Sequence, residues 1–421
     1  MVEPYSKKGI TIVLLVAVAA FALIYHIGYQ IKPFDAFIIL VGLFLVLDAR
    51  AREMVKDAWP NIFSYGKYFI ALILFVVIGE IVNYSIGEGN SGYDLVSLMN
   101  YGRIIFNSTV FLLVAFLVSR YRNLLVYISW AVFLAPVVVL PAYVIGVESF
   151  YTHGGRLTGF LQNPIIFGFW MAIVFLVGLA LFFHARGWWL KGAVGGWLCV
   201  VASFILWAAS RASWVALFFG LILLCAAYFR EQENRWKVPL VIALVLIAFS
   251  LGYFFLPSDG LKIRPVIGER VSKFVTQPFA GQFQTQIWQS ALPFALKNWL
   301  GIGFGGERPT FEIRLGERLA FTQVTSNSFL EVMSYGGLGA LVAFLVILVK
   351  LGRDIAVSFK KSVGQPLFDL RLAWAVIVPL VIVDVFFNDG FLWRHLWFAL
   401  GVSLGAAWLK EVPYQDTEAT Q

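Results

Sequence analysis

Apolar stretches long enough to cross a bilayer follow one another along almost the whole chain, and one polar, basic stretch interrupts them. About twenty apolar residues in a helix span the roughly 30 Å hydrocarbon core, with every backbone N–H and C=O satisfied inside the helix. Such stretches recur at 10–29, 34–48, 68–86, 104–119, 124–147, 165–183, 192–209, 212–229, 238–256, 328–351, 372–387 and 392–409. The expected fold class is all-α: a polytopic membrane protein of about twelve transmembrane helices, with a long extramembrane loop that carries amphipathic helices of its own.

Composition supports this reading. Hydrophobic residues make up 60% of the chain and charged residues 13%, where a soluble domain carries about a quarter charged residues. Mean hydropathy is +0.82. Cys199 and Cys225 fall inside apolar runs and read as small core residues, so they imply neither a disulfide framework nor a metal site. The first apolar run follows Lys7 and Lys8 and lacks a small-residue cleavage site, which reads as a retained helix. The net charge of +8 is scattered over many short loops, which argues for membrane topology and against nucleic acid as a partner.

With both termini on the cytoplasmic side, nineteen of the 32 Lys and Arg residues fall in cytoplasmic segments and five in short loops on the other side. The remaining eight lie in the long loop, and long loops translocate largely regardless of charge. The positive-inside rule therefore places the long loop outside the cytoplasm. The expected organisation is transmembrane helices in 1–256, a loop over 257–327 that caps an active site, further helices in 328–409 and a cytoplasmic tail over 410–421. No internal repeat is evident, which disfavours a transporter or flippase built from inverted halves.

The loop is about seventy residues long, far more than a connection between helices needs. Val266–Phe279 and Phe283–Trp299 read as amphipathic helices, the second with Trp288, Leu292, Ala295, Leu296 and Trp299 on one face. The segment from Gly301 to Gly306 reads as a flexible turn, and Arg308, Arg314 and Arg318 alternate with Glu307, Glu312 and Glu317 as a self-paired surface.

Three short elements share the side of the long loop. They are 153–164 with His153, Arg156 and Asn163-Pro164, then Ser210-Arg211-Ala-Ser213, and 388–395 with Arg394 and His395. Arg211 sits in a turn too short to lift its guanidinium far from the apolar zone, where an arginine is costly unless paired or functional. Its planar fork suits a phosphate, although snorkelling to lipid headgroups is the plainer use. Arg156 lies near Pro164, which can open a helix and leave free N–H groups for an anion. Arg264 and Arg270 begin the long loop and read either as anion ligands or as a solvated helix face. His153 and His395 are the titratable bases on this side. Glu80, Glu331 and Asp384 lie in or beside apolar helices, as partners of buried arginines or as catalytic groups. No nucleotide loop, zinc ligand set or Ser-His-Asp arrangement is visible, so no cofactor is expected.

From about Arg156 to His395 the chain resembles the bacterial O-antigen ligase and polymerase superfamily, GT-C type membrane glycosyltransferases. The resemblance rests on Gly155-Arg156-Leu-Thr-Gly-Phe-Leu-Gln-Asn163-Pro164, on Ser210-Arg211, and on the long loop with Arg270, Trp288 and Gly301-Ile-Gly-Phe-Gly305. It continues in Thr325-Ser326-Asn327-Ser-Phe-Leu-Glu331 and Tyr335-Gly336-Gly337.

That resemblance implies transfer of a glycan from an undecaprenyl-diphosphate carrier to a sugar hydroxyl in the periplasm, in the inner membrane. The partners are then a lipid-linked glycan, a saccharide acceptor (a second lipid-linked repeat or lipid A-core), membrane lipids and a chain-length regulator. The family's arginines hold the diphosphate, at places that Arg211 and Arg270 match. Arg156, Asn163, Arg264, Ser326, Asn327 and Tyr335 are the expected substrate contacts, and Glu331, His153 and His395 the remaining candidates for the chemistry. Ligases carry His-Asn where this chain has Ser326-Asn327. A serine hydroxyl is far too weak a base at neutral pH to replace that histidine, and the departure favours a polymerase of O-antigen or exopolysaccharide repeat units over a ligase.

Overall fold

A computed structural model describes residues 49–85, 95–140, 156–159, 163–254, 267–269, 272, 282–305, 311–315, 318–322, 327–362, 365, 367–388 and 391–409. The expected helices at 10–29 and 34–48 lie outside these residues. Those described are α1 (Ala49–Ser85), α2 (Leu95–Arg120), α3 (Arg122–Leu134), α4 (Pro164–His184), α5 (Trp188–Ala208), α6 (Arg211–Arg230) and α7 (Lys237–Phe254). They continue with α8 (Gln282–Lys297), a β1–β2 hairpin (Phe311–Leu315 and Arg318–Thr322), α9 (Ser328–Ser362), α10 (Phe368–Phe387) and α11 (Arg394–Trp408).

Among the described residues eight helices are long and apolar enough to cross a membrane. The apolar stretch Arg122–Val138 is shorter, and α11 has 15 residues. The chain is thus an all-α polytopic membrane protein. Helix α4 is apolar on every side and almost wholly buried, the expected pattern for the central helix of a bundle. Around it pack α5, α6 and α10, while α2 lies on α11 and α1 on α9. Large apolar side chains such as Ile70, Phe218, Leu246 and Val349 remain exposed on the outer helices, as a lipid-facing surface requires.

The helices differ from the expected spans in two informative places. Helix α1 begins at Ala49 rather than near 68, and α9 runs on to Ser362 rather than stopping near 351. Hydropathy marks only the part of a helix that meets hydrocarbon, so polar helical extensions such as Ala49–Lys67 escape it. Helix α9 also bends at Gly337, whose φ of 67° and ψ of −165° are non-helical.

In the long loop, α8 matches the second expected amphipathic helix, but its buried face is turned. Ile287, Ala291 and Ala295 are fully buried, whereas Leu292, Leu296 and Trp299 are exposed. The narrow row at i, i+4 and i+8 lets α8 approach closely, with Ile287 and Ala291 packing beside Phe294 and Leu330. Phe311 to Thr322, read from its charges as a self-paired surface, contains an antiparallel hairpin that pairs Phe311 with Thr322 and Leu315 with Arg318. The alternation of Phe311, Ile313 and Leu315 with Glu312 and Arg314 is the strand pattern.

The turn after α8 is not a flexible hinge. Ile302 N–H donates to Ser334 O at 2.9 Å, Gly303 N–H to Tyr335 O at 2.8 Å, and Leu338 N–H to Trp299 O at 2.8 Å. These bonds fill the gap that the Gly337 bend opens in α9. Ser97 Oγ donates to Phe304 O at 2.9 Å, so the turn is also tied to α2. Gly301 and Gly303 have φ of 85° and 66°, and a Cβ on Gly303 would lie 2.3 Å from Glu80 Cβ. Only glycine fits there, for backbone and for space.

Candidate functional site

The described ends of the helices meet on the side of the long loop in two corners. The first corner joins the 156–159 segment, the start of α4 and the turn between α5 and α6. Asn163 caps α4: its Oδ1 accepts from Ile165 N at 2.8 Å and Ile166 N at 3.5 Å, with Pro164 at the first helical position. Ser210 caps α6, accepting from Ser213 N at 3.3 Å. Ser213 Oγ donates to Ile165 O at 3.1 Å, binding the starts of α4 and α6 to one another. A Cβ on Gly168 would lie 2.8 Å from Ser213 Oγ, so the two helices cross in close contact.

Arg156 and Leu157 are held in this corner by one bond each to the end of α5. The Arg156 Nε–H donates to Ala208 O at 2.9 Å, and Leu157 N–H donates to Trp207 O at 3.2 Å. Ala209 then turns the chain in the left-handed region, at φ 46°. Arg211 follows as the first residue of α6, half-buried. Two helix N-termini and two arginines therefore share the corner, the composition of an anion site.

The second corner joins the start of α9, the end of α10 and the start of α11. Asn327 caps α9, its Oδ1 accepting from Phe329 N at 2.9 Å and Leu330 N at 3.0 Å. Its Nδ2 donates to Phe386 O at 2.9 Å. Ser328 Oγ donates to Asn388 O at 2.8 Å, and Asn388 Nδ2 to Asp384 Oδ1 at 2.6 Å. Glu331 is buried one turn into α9, its N–H donating to Asn327 O at 2.9 Å. Trp288 of α8 stands against Phe386, with ring centroids 5.3 Å apart, and against Phe387 at 6.2 Å. Helix α8 of the long loop is thus seated against this corner.

His395 links the two corners. It is buried, stacks on Trp393 at 5.5 Å and meets the edge of Trp170 of α4 at 5.9 Å. Tyr335 lies further along α9, its ring 4.7 Å from Phe304. Glu80, read from the sequence as an arginine partner or catalytic group, accepts from the Tyr101 hydroxyl. His153, Arg264, Arg270 and Ser326 lie outside the described residues. Among the described residues no three His, Cys, Asp or Glu side chains gather as a cation site.

Residues 198–345 match the family model described as O-antigen ligase. This stretch is similar to an O-antigen ligase domain. The match supports a place for this part of the chain in the O-antigen ligase and polymerase superfamily. The matched stretch runs from α5 into α9, taking in Arg211, the long loop, Asn327, Glu331 and Tyr335. Arg156, Asn163 and His395 lie beyond its limits; Arg156 is bonded to Ala208 within it, and Ile165, whose N–H donates to Asn163, accepts at its carbonyl from Ser213 within it. No curated protein matches the chain.

Sequence reading missed three features of the site. Asn388 was visible only as part of a polar turn, and its role as the bolt between α9 and α10 depends on pairing across 60 residues. Trp170 resembles any core tryptophan of α4 until His395 is seen against it. Tyr101 gives no sequence signal beyond its position near the start of a helix.

Proposed function

We propose that the chain moves a glycan from undecaprenyl diphosphate to a sugar hydroxyl on the periplasmic face of the bacterial inner membrane. In this reading it polymerises lipid-linked O-antigen or exopolysaccharide repeat units. The observation that carries the proposal is the O-antigen ligase match over 198–345, with Arg211 near its start, beside the bond from Arg156 to Ala208.

The reaction needs charge stabilisation more than activation, because the leaving group is already a diphosphate. The acceptor oxygen attacks the anomeric carbon, the bond from that carbon to the phosphate oxygen breaks, and the electron pair leaves with the lipid diphosphate. Attack from the opposite face inverts the anomeric configuration. Arg211, at the positive end of α6, takes up the developing phosphate charge, with Arg270 and Arg264 as further phosphate ligands. Arg156 acts as a positioning residue, fixing the turn that presents Arg211.

The acceptor proton leaves to a base on the second side of the site. Glu331 is placed for this role at the start of α9, with Asn327 as the cap that orients it, while His395 and His153 are the alternatives. Tyr335 and Asn163 border the sugar path, and Ser326 takes no proton. The chemistry as written uses neither nucleotide nor metal.

A second reading, transfer to lipid A-core, is favoured by the description of the matching family as O-antigen ligase. The two separate in one experiment. The full-length protein in detergent is given an undecaprenyl-diphosphate-linked repeat unit, with and without lipid A-core, and products are resolved on a gel. A ladder without core supports the polymerase, and a product only with core assigns the ligase. No product in either, from protein that still binds the lipid, removes both readings.

A further inference from the structure

At the end of the bundle away from the long loop, α1, α9 and the last turn of α11 leave a groove of about 1280 Å³ between them. That exceeds the roughly 300–1,000 Å³ of ordinary small-molecule pockets. Its lining is divided along the axis of α9. Val342, Leu345, Val346 and Val349 form an apolar wall, and Lys350 and Arg353 follow directly, facing Lys67 of α1. From Val342 to Arg353 a helix rises about 16 Å, roughly half the thickness of a hydrocarbon core. The apolar wall therefore reaches towards the bilayer midplane while the cations sit near its edge.

The cations are arranged, not merely present. Lys350 is held by Asp354 at 3.0 Å and lies 4.5 Å from the ring centre of buried Tyr65. Tyr65 in turn donates to Asp354 Oδ2 at 2.9 Å, so Asp354 is shared between two groups of the wall. At the head of the groove Arg371 is buried, donating to Ser358 Oγ at 3.1 Å and Ala406 O at 3.1 Å. Lys67 and Arg353 are exposed and form no ion pair with a described carboxylate. Among the described residues four cations thus line the groove against one carboxylate, Asp354.

We infer that this groove seats an anionic phospholipid, its headgroup phosphate between Lys67, Lys350 and Arg353 and an acyl chain along Val342, Leu345, Val346 and Val349. A zwitterionic lipid satisfies the wall but brings its own cation to a site already rich in them. A small soluble anion satisfies the cations but leaves the wall uncovered. Only a ligand with both parts matches the division of the lining. This inference does not depend on glycan transfer at the opposite end.

The test uses the full-length protein in a mild detergent, titrated with dioleoylphosphatidylglycerol or dioleoylphosphatidylcholine, with bound lipid counted by native mass spectrometry. The wild-type protein is expected to hold one phosphatidylglycerol on the order of tenfold more tightly than phosphatidylcholine. The double variant Lys67→Gln with Arg353→Gln should lose that preference while melting like the wild type. The double variant Arg230→Gln with Arg235→Gln, at the same end of the bundle but outside the groove, should keep it. Leu345→Trp, which fills the wall without changing charge, should weaken the tight phosphatidylglycerol site. Equal affinity for the two lipids, or a preference that survives in the Lys67 and Arg353 variant, overturns the inference. So does complete displacement by glycerol phosphate at matched concentration, which would make the groove a site for free phosphate.

Discussion

The guanidinium of Arg156 is bonded to the backbone of the helix that precedes Arg211: Nε–H to Ala208 O, 2.9 Å. The last carbonyls of α5 have no N–H donors within their own helix, and a cation beside them is favoured. The same contact fixes where the chain turns into α6. Arg156→Ala is therefore expected to lower glycan transfer about tenfold, the order of effect of losing one charge-assisted hydrogen bond. Arg156→Lys should restore only part of this, since lysine lacks the planar fork. A positioning role predicts loss in kcat with the thermal midpoint nearly unchanged. Unchanged turnover in Arg156→Ala would remove Arg156 from the site.

The turn between α8 and α9 is a packed wedge, and its glycines should tolerate nothing larger. Gly303→Ala must place a Cβ against Glu80 and hold alanine at φ 66°. The expected cost is about 1–3 kcal/mol, read as a lowered thermal midpoint in detergent. Gly192→Ala, where a Cβ meets nothing within 4 Å, should leave the midpoint unchanged or raise it. Equal midpoints for Gly303→Ala and the wild type would restore the flexible-turn reading.

Beside the packing of Ile287 and Ala291 near Leu330, helix α8 sets Trp288 against Phe386 and Phe387. Trp288→Ala removes that contact and about 1–3 kcal/mol of docking free energy. Limited proteolysis should cut the loop in the variant faster than in the wild type, with transfer reduced and membrane insertion intact. Cleavage at the wild-type rate would show that α8 is held by other contacts.

At the opposite end Lys237 pairs with Asp369 at 2.6 Å, and Tyr228 donates to the same oxygen at 2.9 Å. Phe183, Tyr228 and Trp236 surround the ammonium group. Asp369→Asn leaves a mostly buried lysine without its counter-charge, at a cost of about 3 kcal/mol. Thermal unfolding in detergent should show this clearly. The double variant Lys237→Met with Asp369→Asn should recover much of the loss, because it leaves no buried charge uncompensated. A double variant as unstable as the single one would mean that Asp369 acts through Tyr228 instead.

How much of this was legible in the sequence depended on the kind of contact. Helices such as 165–183 and 212–229 were plain because a membrane helix announces itself by unbroken apolarity, and α4 and α6 stand within a residue or two of them. The polar first part of α1 gave no such signal. At α8 the apolar face of Leu292, Leu296 and Trp299 is open, which suits the membrane interface, and the small residues Ala291 and Ala295 with Ile287 form the row that packs inward, which periodicity alone does not single out. In the site, Arg211 was recognisable as a costly residue in a short turn and Arg156 as an arginine beside a helix start at Pro164. That Arg156 reaches the turn before Arg211 was not, because the contact joins residues 52 apart. Asn163 and Asn327 each stand just before a helix, so their capping geometry follows the local sequence. The bolt formed by Ser328, Asn388 and Asp384 does not, since it needs α9 and α10 already side by side.

The most direct measurement compares the wild type with Arg211→Ala, both purified in detergent and both supplied with an undecaprenyl-diphosphate-linked repeat unit without nucleotide or added metal. The wild type is expected to build a ladder of inverted linkages. Arg211→Ala, with an unchanged thermal midpoint, is expected to lose about a hundredfold or more of that activity. An Arg211→Ala protein that makes polymer of the same length and in the same amount would contradict a diphosphate site at this corner.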